Sequence, residues 1–172
     1  MTFSILLTVL LLMAAWFDVK YRRLPNWLAG LILVLGIAWA FFGGGPMGLG
    51  SNLLHGAIAL TIGFGLFAVG WIGGGDAKTY AALAANFPMP LALSLIALVS
   101  IAMLVIALIW LPVSRLRRRA RKNNEDQAAP EQGNQDREAD DNFAKIPLGI
   151  AIAAGGIALI WMGYPAFDQP IF

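Results

Sequence analysis

A chain of 172 residues that is 59% hydrophobic and 13% charged carries too much apolar surface for a water-soluble domain of its length. Its net charge of +2 indicates little by itself, whereas the placement of the charges is informative. The absence of cysteine excludes disulfides and thiolate metal sites, and the single histidine, His55, argues against an imidazole site.

The composition predicts an all-α, polytopic membrane helix bundle, read as one membrane-embedded domain over 1–172. Apolar runs at about 3–17, 27–42, 53–72, 91–111 and 147–164 approach the ~17–25 residues a spanning helix needs. A sixth, Ala77 to Phe87, reaches only ~17 Å at ~1.5 Å per residue and must be a partial or tilted span. About six segments are therefore expected, one of them short. The first run has no basic flank before it and is followed by Asp-Val-Lys-Tyr-Arg-Arg rather than a small-residue cleavage site, so it reads as a mature helix.

In chain order, segment one ends at Asp18. The turn Lys20–Asn26 closes with Leu-Pro-Asn, placing Pro25 at the first turn of segment two. A turn cluster, Gly43-Gly-Gly-Pro46 to Gly50-Ser-Asn52, leads to segment three, with Ser51 or Asn52 as its cap. Segment three ends in Trp71-Ile-Gly-Gly-Gly-Asp76-Ala-Lys78, whose glycines open conformations and approaches closed to other residues. Pro88 and Pro90 end segment four, and Pro112 is expected to stop segment five. A polar cytoplasmic loop, 113–146, then leads through Lys145-Ile-Pro147-Leu-Gly149 into segment six.

The twelve basic residues cluster after the first run, after the third and between the last two, while the intervening connections lack them. Reading basic loops as cytoplasmic puts both termini outside, provided the short segment crosses. The Arg115–Lys122 cluster reads as a topology anchor, with no aromatic interleaving to indicate nucleic acid. His55 reads as structural, and the terminal Trp and Tyr residues fit interfacial belts.

Of ten acidic residues, seven lie in Glu125–Asp141 and one is Asp168. The other two, Asp18 and Asp76, stand at junctions between apolar segments and the inner face, where ionisable groups indicate function. The topology brings them to one face although they lie 58 positions apart. Two carboxyls at close range share a proton, which provides a general acid and a general base without metal or cofactor. Read separately, Asp76 also fits a helix N-cap and Asp18 a solvated interfacial charge beside Lys20 and Arg22.

Asp18-Val-Lys-Tyr-Arg-Arg-Leu-Pro-Asn26 followed by Gly73-Gly-Gly-Asp76-Ala-Lys78 resembles the paired signatures of the type IV prepilin peptidases, within the GxGD aspartyl proteases. Lys145-Ile-Pro147-Leu-Gly149 looks like the family's late proline and glycine motif. The resemblance implies an aspartyl endopeptidase of the bacterial inner membrane, with Asp18 and Asp76 as the catalytic pair. It would remove a short basic leader from pilin-like precursors at the cytoplasmic face. Supporting motif positions are Lys20, Pro25, Asn26, Gly73, Gly75, Lys78, Lys145, Pro147 and Gly149. Gly73 and Gly75 match the family glycines that let Asp76 or substrate backbone come close; Lys78 either influences the carboxylates or binds polar backbone. Implied partners are the precursors, membrane lipid and pilus assembly machinery, with no nucleic acid.

Only seven residues separate Asp18 from Asn26. The larger family members carry a cysteine-bearing insertion associated with methylating the new N-terminus. Its absence resembles the small peptidases of tight-adherence (Flp-type) pilus systems and points to proteolysis alone. The competing readings are a small proton- or cation-coupled transporter subunit using the same aspartates, and a non-catalytic pilus assembly scaffold.

Overall fold

The computed structural model describes residues 2–21, 24–125 and 148–162, except for the side chains of 114 and 116–125. The described residues form helices and connections without a strand. In order these are α1 (Thr2–Tyr21), α2 (Asn26–Ala68), α3 (Gly74–Ala84), a short 3-10 turn (Met89–Leu91), α4 (Ala92–Glu125) and α5 (Leu148–Trp161). Three helical stretches are long and apolar enough to cross a membrane: Thr2–Tyr21, Asn26–Ala68 and Met89–Val113. The chain is an all-α membrane protein, with α3 shorter than a full span and 14 residues of the apolar α5 described.

The two runs expected at 27–42 and 53–72 belong to α2, which changes direction at Gly45. Gly45 has φ +58° and ψ −160°, a region open essentially to glycine, and Pro46 follows without an N–H to donate. The limbs then run oppositely along α3. On the first, Asn26 lies at Lys78, and Ile32 and Gly36 lie at Asn86. On the second, Gly56 lies at Ala85 and Gly63 at Ala77. Neither Ser51 nor Asn52 caps a helix start, as both sit inside α2. Ser51 Oγ instead accepts the Met89 N–H at 3.0 Å, tying the hairpin to the 3-10 turn.

The short α3 occupies the centre of the bundle. Ala81 through Phe87 are all buried, and alanines let neighbours approach closely, which matters in lipid where association rests on packing rather than on the hydrophobic effect. A Cβ on Gly56 would fall 2.8 Å from the Ala85 Cβ, and one on Gly155 of α5 2.7 Å from the Val99 Cα of α4. Asn86 fastens the end of α3 by donating to the Ile32 carbonyl at 3.0 Å and the Ala82 carbonyl at 2.7 Å. His55 Nδ1 lies 3.0 Å from the Phe87 carbonyl oxygen, at the end of α3 remote from Asp76, which agrees with its structural reading. Large apolar side chains such as Leu93, Val34 and Leu104 face outward, as expected of a lipid-facing surface.

One further boundary differs from expectation. α4 continues through Pro112 to Glu125, so the first part of the expected polar loop is helical. Proline removes a single backbone donor, and the resulting disturbance is tolerated in this helix. The remainder of that loop, with Lys145 and Pro147, lies outside the described residues, as do Arg22 and Arg23.

Candidate active site

Asp18 sits in the penultimate turn of α1 and is 7% exposed, so it is not a solvated interfacial charge. It faces the first turn of α5. A Cβ placed on Gly149 would lie 2.8 Å from Asp18 Oδ2 and 2.9 Å from its Cβ and Cγ. Gly149 is therefore needed for close approach between two helices: any side chain there would displace the carboxyl group.

Asp76 comes from α3, and the local structure explains the glycines before it. Gly73 is the N-cap, with extended backbone at φ −74° and ψ 144°, which places Asp76 at the third helical position rather than at the cap itself. From there its carboxylate reaches back and accepts the Gly73 N–H, one half of a capping box. A Cβ on Gly73 would lie 2.9 Å from Asp76 Oδ2, so this glycine provides space and not an unusual φ. Gly75 lies against Leu24, with its notional Cβ 3.5 Å from the leucine Cβ, which seats the α1–α2 turn on the start of α3. Positive φ occurs elsewhere, at Gly45 and Gly70.

Asp76 stands outside the three candidate spans. Burial pushes its carboxyl up to about 6; the negative charge of Asp18 adds to this, and the hydrogen bond from Gly73 opposes it. The charge of Asp18 thus bears on Asp76 although the two lie on different helices. Two carboxyls in a poorly hydrated site do not ionise together easily, and both burial and the Asp18 charge favour the protonated form of Asp76.

The other motif residues divide between two faces of α3. Lys78 projects from the face shared by Ala81, Ala82 and Ala85, toward the groove between the limbs of α2. Its Nζ donates to Asn26 Oδ1 at 3.5 Å. It fastens the starts of α2 and α3 and is not among the groups that shift Asp76. Pro25 is the N-cap of α2, one position earlier than expected, and its carbonyl accepts the Leu28 N–H at 3.1 Å. Lys20 is exposed, with its ammonium 5.3 Å from the Tyr21 ring centroid and 5.9 Å from that of Trp16.

The opposite face of α3 carries Asp76, Ala77 and Tyr80 and borders a groove of about 620 Å³ between the second limb of α2 and α4. Tyr80 is a residue the sequence reading passed over. It follows Asp76 by four positions, the spacing that places two side chains on one helix face, and its hydroxyl is buried with no hydrogen-bond partner among the described residues. Leu148 and Ile152 of α5 complete the wall, so the helix that touches Asp18 also borders the groove containing Asp76. Among the described residues, no group of three or more His, Cys, Asp or Glu could hold a metal ion.

An apolar helical bundle that carries a buried and a half-buried aspartate on different helices defines a helical membrane protein. The sequence itself gives the narrower assignment: residues 5–108 match the type IV leader peptidase family, and the chain belongs to that family. It is thus a protease whose family acts on pilin precursors. The match covers Asp18, Asn26 and Gly73–Lys78 and ends before Gly149. Neither the search among curated proteins nor the search among solved structures returns a match.

Proposed function

We propose that the chain is an aspartyl endopeptidase that removes the short basic leader from Flp-type pilin precursors, with Asp18 and Asp76 as its catalytic pair. The observation that carries this reading is that the charge of the buried Asp18 bears on the half-buried Asp76 across 58 positions of sequence. One carboxylate takes a proton from water as the oxygen adds to the scissile carbonyl. The other, protonated, donates to the developing oxyanion, and a proton then passes to the departing amine. The raised proton affinity of Asp76 makes it the natural donor at the outset.

The site lies at the end of the bundle that carries Lys20 and Lys78, and α4 runs from the opposite end past it to Arg115. Basic residues concentrated at one end support a cytoplasmic site in a multi-pass inner-membrane protein. Gly149 supports the pair by proximity alone, and Lys78 with Asn26 holds the helix starts in register. The seven-residue connection from Asp18 to Asn26 favours a product with an unmodified N-terminus.

The decisive experiment co-expresses the chain with a leader-bearing precursor and measures the product by mass. Asp18→Asn and Asp76→Asn are each expected to abolish cleavage while the protein still inserts in the membrane. Processing retained by either variant would refute the pair and restore the transporter and scaffold readings.

A further inference from the structure

The groove beside Asp76 has a shape and a chemistry that the proteolytic reading does not itself require. It lies between the second limb of α2 and the first half of α4 and is partly open to the exterior. Both His55 and Leu66 border it, so it extends ~16 Å along α2 at ~1.5 Å per residue. Among the described residues Asp76 is its only carboxylate and stands at one end, while His55 lies at the other. Ile62 on one lip and Ile96 on the other are both exposed on the apolar exterior.

We infer that this groove is the lateral docking site for the apolar stem of the precursor, which slides in from the lipid between α2 and α4 and brings its scissile bond to Asp76. The inference rests on the proteolytic reading and adds the route and the substrate segment. A peptide bond at Asp76 has chain on both sides, and only one side can occupy the groove. A basic leader does not fit there, because beyond Asp76 the described residues of the walls offer no carboxylate to neutralise it as it leaves water. An uncharged helical stem does fit, since it exchanges lipid contacts for contacts with Ile62 and Ile96 at little cost in solvation. The second groove, on the Lys78 face, borders neither aspartate and so cannot present a bond to them.

The cysteine-free sequence permits a direct test. Ile62→Cys, Ile96→Cys and, in the other groove, Leu33→Cys are each placed in the full chain carrying Asp76→Asn, which keeps the precursor intact. Each is oxidised in membranes with a precursor carrying one cysteine in its apolar stem. Because a disulfide needs Cα atoms within ~7 Å, the two groove positions should give at least about tenfold more adduct than Leu33→Cys. In the otherwise unaltered chain, Ser100→Trp should fill the groove from its lip and slow cleavage at least about tenfold, while Leu60→Trp in the other groove leaves the rate unchanged. Equal or greater adduct at Leu33→Cys, no adduct at either groove position, or an undiminished rate in Ser100→Trp overturns the route while cleavage by the unaltered chain preserves the proteolytic reading. If the unaltered chain leaves the precursor whole, both fall together.

Discussion

Because burial raises the proton affinity of Asp76, its ionised form should cost the folded state stability, and the effect should depend on pH. Its folded-state value of about 6 exceeds the ordinary 3.8, so the folded protein binds the proton more tightly than the unfolded chain does. Stability from this group is complete below the ordinary value and is lost as pH rises through the folded one. Asn retains an oxygen that can accept the Gly73 N–H but cannot ionise. Unfolding midpoints of Asp76→Asn and the unaltered protein in detergent should therefore coincide near pH 4 and separate above pH 6, with the variant higher. Equal midpoints at pH 8 would show that the carboxyl is not held against its charge. Gly149 illustrates the opposite constraint, in which space is essential. A methyl group there must displace either Asp18 or α5, and a shift of ~1 Å at a reacting group can reduce turnover about a hundredfold. Gly149→Ala should show that loss in the precursor assay while still inserting in the membrane. The two aspartates were legible in the sequence because carboxyls are rare beside apolar runs. The contact of Gly149 with Asp18 was not, because it joins helices separated by most of the chain. Nor was the orientation of Lys78, whose two places from Asp76 turn it onto another face of α3.

At the level of the elements, hydropathy indicated where the chain is apolar, and glycine and proline indicated where it turns. The reversal at Gly45 was signalled by the Gly43–Pro46 cluster, but the helix resumes at once and absorbs Ser51 and Asn52, which resemble caps in isolation. Pro112 misled in the other direction. A single proline does not end a helix whose flanking residues continue to bond, and α4 passes through it. Gly45 accordingly has a demanding role. Its φ of +58° with ψ −160° is strained for any residue with a Cβ, at ~1–3 kcal/mol. Gly45→Ala should lower the unfolding midpoint by a corresponding amount. A larger loss of cleavage than of folded protein would mean that the turn, remote from the aspartates, also sets the spacing of the limbs. Gly44→Ala is the control, since a Cβ there meets nothing within 4 Å and its backbone has no positive φ. It should behave as the unaltered protein does.

At the scale of the whole molecule, α3 is too short to span yet is buried along its second half, and it organises everything around it. It starts at the aspartate end and finishes where Asn86 and His55 fasten it to the two limbs of α2. Lys20 and Lys78 mark the starting end, and that arrangement fixes how the chain must lie in a bilayer. If the basic end is cytoplasmic, α1 and the second limb of α2 both run inward, and the Lys20 and Lys78 turns face the same compartment. The absence of native cysteine makes this directly measurable, because Lys20→Cys and Lys78→Cys each introduce the only thiol. In intact cells a membrane-impermeant maleimide should leave both unlabelled, and in inverted membrane vesicles it should label both. Met47→Cys, in the exposed turn at the far end of the α2 hairpin, should show the reverse pattern. Labelling of the two lysine positions from opposite sides would separate Asp18 from Asp76 by the thickness of the membrane, and no shared proton or shared water could survive that separation.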